Sequence, residues 1–214
     1  MWSGNTIAEH KLGISNGDSK TICAFRTGNS IHFSDSIDFK TAGYLAMLIK
    51  DTEADILNKL EKHKKADTLP VEDKQYVNVD IKPMPIKLYL TTYGGLVYAA
   101  FMVADVIKTL KVPVHTYVSG YVASAGTIIS LAGAMRFITA NSFMLIHEIR
   151  SGFWGKYSDA RDEIVNLDKL SLTLTKYIRE HSKLSEDELK EILVRDRNWD
   201  ADECLAKGLV DEII

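Results

Sequence analysis

Residues 86–146 switch repeatedly between two hydrophobic periods, and that alternation limits the chain to few architectures. The run 86–91 (IKLYLT) is short, apolar and β-prone, and it stops at Gly94-Gly95. Residues 97–108 then carry Ala100, Val103, Ala104 and Ile107 at helical spacing. The segment 114–118 is again strand-like, 124–134 is helix-like, and 137–138 and 143–146 read as strands around Asn141. Apolar residues three and four apart line one face of a helix, whereas short apolar runs bounded by turn residues suit strands. Strands that alternate with helices connect as βαβ units, so the predicted fold class is α/β with a largely parallel sheet.

The flanks are simpler. Residues 1–20 are polar and read as an N-terminal arm, and 21–214 as a single domain. Within it, 21–25 and 30–33 read as short strands around Thr27-Gly28-Asn29, and 38–50 as a helix through Ala42, Leu45, Ala46 and Ile49. From about 51 to 83 charged side chains crowd together, punctuated by prolines, and this reads as a charged insert with a solvated face. The longest predicted helix is 158–182, with an apolar stripe of Ile164, Leu167, Leu170, Leu174 and Ile178. Ser185 followed by Glu188 is a capping-box signature for a helix through Ile192. The end, 201–214, reads as a short helix stopped at Gly208 and then a strand.

A chain of 214 residues can bury a substantial single core, and 46% apolar with 26% charged residues is ordinary for a globular protein. A net charge of -3 gives no footing for nucleic acid or an anionic membrane. The first residues carry no apolar run behind a basic head, so no signal peptide is expected, and no segment is long and apolar enough to span a bilayer. Cys23 and Cys204 sit in no paired or metal-ligand spacing. Two unpaired thiols, no metal, no cofactor and a cytoplasmic setting are the expectation.

In an α/β sheet, chemistry collects where strands end and helices begin. Gly94-Gly95 is one such place: two glycines permit a tight turn and leave backbone N–H groups open, although a plain turn would look the same. Ser124, within GYVASAG, falls where a strand has ended and a helix starts. There it is either a simple N-cap or a nucleophile whose neighbours Ala123, Ala125 and Gly126 keep the approach open. Ser119 is placed in the turn, and Thr127 and Ser130 inside the helix, where bonding back to the chain is the usual fate. His147 closes the strand 143–146 and is the best placed of six histidines for a general base. The acid that would orient it is not selected by spacing.

Four motifs in order resemble the ClpP family, the proteolytic subunit of the Clp protease: LYLTTYGGLVYAAFMVADVI, GYVASAG, NSFMLIHE and VRDRNWDADECLAKGLVDEII. The resemblance runs from about 86 to 214 and more faintly over 30–49. It implies a ClpP/crotonase-like fold of repeated βαβ units with a protruding handle helix. It also implies a serine endopeptidase core, itself using no ATP, that cleaves unfolded polypeptides inside stacked seven-membered rings fed by an ATPase unfoldase. Carried over, Ser124 is the nucleophile, His147 the base and Asp196 the acid, with the N–H groups of Gly95 and Ala125 as the oxyanion hole. Gly152, Phe153 and Gly155 resemble a glycine-bearing strand that pairs with extended substrate.

The chain also departs from the family. Tyr93 stands where a proline usually precedes the paired glycines, Glu148-Ile149 follow the histidine, and Val194 replaces an acidic residue. Lys87, Tyr117 and Ser119 alter the surface that docks the ATPase ring, where Tyr89 persists. The two other readings are a crotonase-like acyl-CoA enzyme and a non-catalytic ring subunit. Both are expected to lack the complete Ser/His/Asp set.

Overall fold

A computed structural model of the chain describes residues 22–67 and 83–214. The predicted N-terminal arm and the distal part of the charged insert lie outside these residues. At its centre is an eight-stranded sheet with the path β1-β2-β3-β4-β5-β8, from which β6 branches off β4 and β7 off β6. Strands β1 (Ala24–Thr27) and β2 (Ser30–Phe33) form an antiparallel hairpin. From β2 the pairing is parallel through β3 (Ile86–Thr92), β4 (Val114–Ala123), β5 (Met135–Ile138) and β8 (Glu212–Ile213). The first strand starts three residues later than its composition suggests.

One face of the sheet carries Ile31, Leu88, Leu90, Val114 and Val118, all buried. Helices α1 (Phe39–Asp67), α2 (Val97–Thr109) and α3 (Ala125–Leu131) share their core cluster, through Leu45, Ile49, Val103, Ile128 and others. Each such side chain, moved from water into the core, contributes about 1.5–3 kcal/mol before conformational entropy is subtracted. The opposite face presents rings instead. Phe25, His32, Tyr89, Tyr117 and Phe137 stack in a row across β1 to β5, with successive centroids 4.7, 4.6, 4.6 and 4.7 Å apart. Partial burial holds the His32 imidazole below its ordinary pKa. The register explains the row, because His32 pairs with Tyr89, Tyr89 with Tyr117, and Tyr117 with Phe137.

Two sequence expectations change here. Helix α1 does not stop near residue 50; it continues through the first part of the charged stretch to Asp67. Lysine and glutamate are good helix formers, so a polar surface can extend a helix whose first turns are anchored in the core. Strand β4 likewise runs past Val118 to Ala123, with a register break against β3 between Leu90 and Thr92. Ser119 therefore lies in the strand, not in a turn, and its carbonyl accepts a 2.7 Å bond from Thr91 Oγ1.

Helix α4 (Tyr157–Glu180) divides its stripe. Leu174 and Ile178 are buried in the core, whereas Ile164, Val165 and Leu172 are 59%, 51% and 71% exposed. Leu174 and Ile178 are packing, and Ile164, Val165 and Leu172 project as an uncovered apolar surface. Helix α5 (Glu186–Leu193) has the predicted capping box, with Ser185 and Glu188 bonded reciprocally. Lys207 and the Ser185 bonds hold the Glu188 carboxyl down at about 2.

Candidate active site

Three neighbouring strands bring the three candidate residues to one edge. The first half of β4 pairs with β5, and after the irregularity near Gly120 its second half pairs with β6 (Phe143–Leu145). Strand β6 in turn pairs antiparallel with β7 (Asn198–Trp199). Ala123 lies opposite Leu145, and Leu145 opposite Asn198. Ser124 follows Ala123, His147 follows Leu145 by two, and Asp196 precedes Asn198 by two. Because β7 runs the other way, all three leave the sheet on the same side. The two-residue strand β7, absent from the sequence reading, is what places Asp196.

Ser124 sits on a sharp strand-to-helix turn. Its φ of 55° and ψ of -125° make it the sole non-glycine residue with positive φ among the described residues. Such a conformation costs on the order of 1–3 kcal/mol and persists only where the surroundings impose it. They do: the Ser124 N–H donates to the Leu145 carbonyl at 2.8 Å. The Ser124 carbonyl accepts from Thr127 N at 3.0 Å and from Thr127 Oγ1 at 2.7 Å. The side chain makes no capping bond, so the N-cap alternative for this hydroxyl does not hold. Thr127 does bond back to the chain, but Ser130 Oγ is buried without a partner among the described residues, against expectation.

The paired glycines fit against this turn. Gly94 (φ 92°) packs so closely that a Cβ there would lie 2.6 Å from the Ala123 carbonyl oxygen and 2.7 Å from Ser124 Cβ. At Gly95 a Cβ would fall 2.1 Å from the Ile37 carbonyl oxygen. Ile37 bridges the turn, donating to Gly94 O at 2.8 Å and accepting from Leu96 N at 2.7 Å. The N–H groups of Gly95 and Ala125 find no acceptor among the described residues. Tyr93, in place of proline, stands 86% exposed with its ring 5.3 Å from that of Tyr121.

His147 Nδ1 is 3.0 Å from Asp196 Oδ1. A carboxylate only accepts, so Nδ1 carries the proton and Nε2 is left as the acceptor. The second Asp196 oxygen accepts from Arg150. Hydrogen bonds from His147 and then Arg150 hold the Asp196 carboxyl below the usual carboxylate range. Ser124 and His147 line one small cavity with Glu148, walled by Val97, Ile128, Ile146, Ile149, Leu174 and Ile178. Among the described residues Glu148 forms no ion pair, and its N–H donates to the Leu193 carbonyl at 2.8 Å.

Residues 151–155 are exposed and form no strand in the single chain, so the strand implied for Gly152, Phe153 and Gly155 is not present. A segment beyond the sheet edge has no neighbour there to complete a ladder. Among the described residues no cluster of three metal-ligating side chains occurs, and no helix is long and apolar enough to cross a membrane.

These features have counterparts in known proteins. The chain is 31% identical over 131 residues, 60% of its length, to an ATP-dependent Clp protease proteolytic subunit of Deinococcus radiodurans. It spans 64% of the length of that relative. The fold matches a solved structure of a ClpP1 point mutant from Listeria monocytogenes, with a TM-score of 0.68 and 22% identity. That match covers 87% of this chain and 91% of the other. The Clp protease sequence profile matches residues 45–214. With most of its length matched by that profile and its fold matched independently, the chain belongs to the Clp protease family.

Proposed function

We propose that this protein is a serine endopeptidase subunit that cleaves unfolded polypeptides or peptides inside a ring-shaped oligomer, using no ATP itself. The observation that carries this reading is the His147–Asp196 hydrogen bond beside a Ser124 held at positive φ with its hydroxyl uncommitted. In the proposed reaction, His147 Nε2 takes the Ser124 proton as Oγ attacks a peptide carbonyl. Asp196 keeps the proton on Nδ1 and stabilises the imidazolium that forms. The oxyanion is received by the N–H groups of Gly95 and Ala125, which have no other acceptor among the described residues. His147 then protonates the leaving amine, and water clears the acyl-enzyme. Gly152, Phe153 and Gly155 would pair with the substrate main chain and complete a strand that the single chain does not form, a mode that reads few side chains.

A fluorophosphonate probe tests the chemistry. Covalent attachment at Ser124, abolished in Ser124→Ala, is expected. A folded, assembled sample that takes up no label would overturn the assignment. The acyl-CoA reading finds no favouring observation, because the profile match is to the protease family, and the complete set of Ser124, His147 and Asp196 argues against a non-catalytic ring subunit.

Assembly is the second part of the proposal. The exposed Ile164, Val165 and Leu172 on α4 suit burial against another copy, as in two seven-membered rings stacked face to face. The ring row through Tyr89 and Tyr117 is the surface on which an ATPase unfoldase would dock, and a cytoplasmic setting goes with such partners. Light scattering is expected to show a large discrete oligomer, and a stable monomer at micromolar concentration would contradict it.

A further inference from the structure

Asp196 is unusual for the acid of such a triad. The acid that orients a catalytic histidine is typically buried, where packing and several donors fix it. In the single chain the Asp196 side chain is 53% exposed, against 12% for His147. Each of its oxygens has one partner among the described residues, His147 on Oδ1 and Arg150 on Oδ2. The neighbouring arginines do not compete for it. Arg197 is engaged with Glu203, and among the described residues the Arg195 side chain makes no ion pair with Asp196. From β4 the titratable group nearest in influence is Tyr121, whose hydroxyl bonds Asn198 Oδ1 at 3.0 Å.

We infer that Arg150 is a positioning residue for the reaction, pinning the free oxygen of an exposed Asp196 so that the other stays on His147 Nδ1. The inference rests on the peptidase reading of this site. A carboxylate held at one oxygen only can rotate about its side chain and trade the histidine for water. A second donor on the other oxygen removes that freedom. Arg150 is three residues beyond His147, so one short segment grips Asp196 at two points, and the base and its orienting acid move together. A surface ion pair adds little to folding stability, which separates the catalytic consequence from a structural one.

The test is Arg150→Met, close in length but uncharged, beside Arg150→Lys. On a fluorogenic peptide, Arg150→Met is expected to lower kcat by about 10–10² with KM little changed, the scale of a small misplacement of a catalytic group. Arg150→Lys restores most of the rate, since a single charged donor suffices for one oxygen. The melting temperature stays at the wild-type value throughout. Wild-type kcat in Arg150→Met would overturn the inference, as would a loss that lysine does not restore and that tracks a lowered melting temperature. If wild-type protein neither hydrolyses peptide nor takes up fluorophosphonate, the peptidase reading fails. The crystal structure of Arg150→Met then decides on Arg150: Asp196 swung away from His147 supports the positioning role, and Asp196 unmoved refutes it.

Discussion

Replacing Ser124 by alanine is expected to lower turnover by about 10⁶, the scale found when a serine peptidase loses its nucleophile. Replacing it by glycine is expected to lose as much activity and yet raise stability by about 1 kcal/mol. Alanine keeps the Cβ that makes φ 55° costly, whereas glycine takes that conformation freely. The gain is smaller than the full strain because glycine also enlarges the freedom of the unfolded chain. Denaturant unfolding of the two variants at one protein concentration measures the difference. Equal stabilities would mean that the turn is not strained. A glycine variant that still hydrolyses peptide would remove Ser124 from the mechanism. The pairing of the two outcomes is informative, because a serine kept only for packing or capping has no reason to occupy a strained position.

Gly94→Ala is expected to be damaging in both respects. The added methyl meets the Ala123 carbonyl and Ser124 Cβ at 2.6 and 2.7 Å, atoms that belong to the elbow itself and cannot swing aside. Positive φ and the clash together cost roughly 2–5 kcal/mol. The turn must then back away from Ser124, carrying the Gly95 N–H with it, and loss of one oxyanion donor lowers kcat by about 10²–10³. Gly43→Ala is the control. Gly43 lies inside α1, and a Cβ there meets nothing within 4 Å. That substitution is expected to stabilise the helix by about 0.5–1 kcal/mol and leave kcat alone. Circular dichroism melts and initial rates on the same preparations check both. Gly94→Ala with wild-type kcat would show that the glycine turn and the serine elbow are not mechanically joined.

The departures from the family pattern take physical form in the structure. Tyr93 does not disturb the two glycines it precedes; it stands outside the turn, against Tyr121. Tyr117, which departs from the family's docking surface, lies within a stacked aromatic row between Tyr89 and Phe137. Glu148 is an exposed residue at the lining of the cavity beside His147. In each case the residue type is visible in the chain and its neighbours are not. Cross-strand neighbours depend on register, which the local pattern does not fix once both candidate faces carry apolar or aromatic groups.

What the sequence determined by itself was local. The alternating periods set the α/β class, and the ends of those periods put Ser124 at a strand-to-helix junction and His147 at a strand end. Ser185 and Glu188 announced the start of α5 because a capping box lies within four consecutive positions. Tertiary structure decided the rest. Asp196 reaches His147 across 49 residues through β7, a strand too short to have a period of its own. The strain at Ser124 comes from the Leu145 carbonyl and the Gly94 turn closing on it from two other strands. Arg150 and Asp196 find each other by the same route. Periodicity reports which side of an element meets the core, and it carries no information on which distant residues share that side.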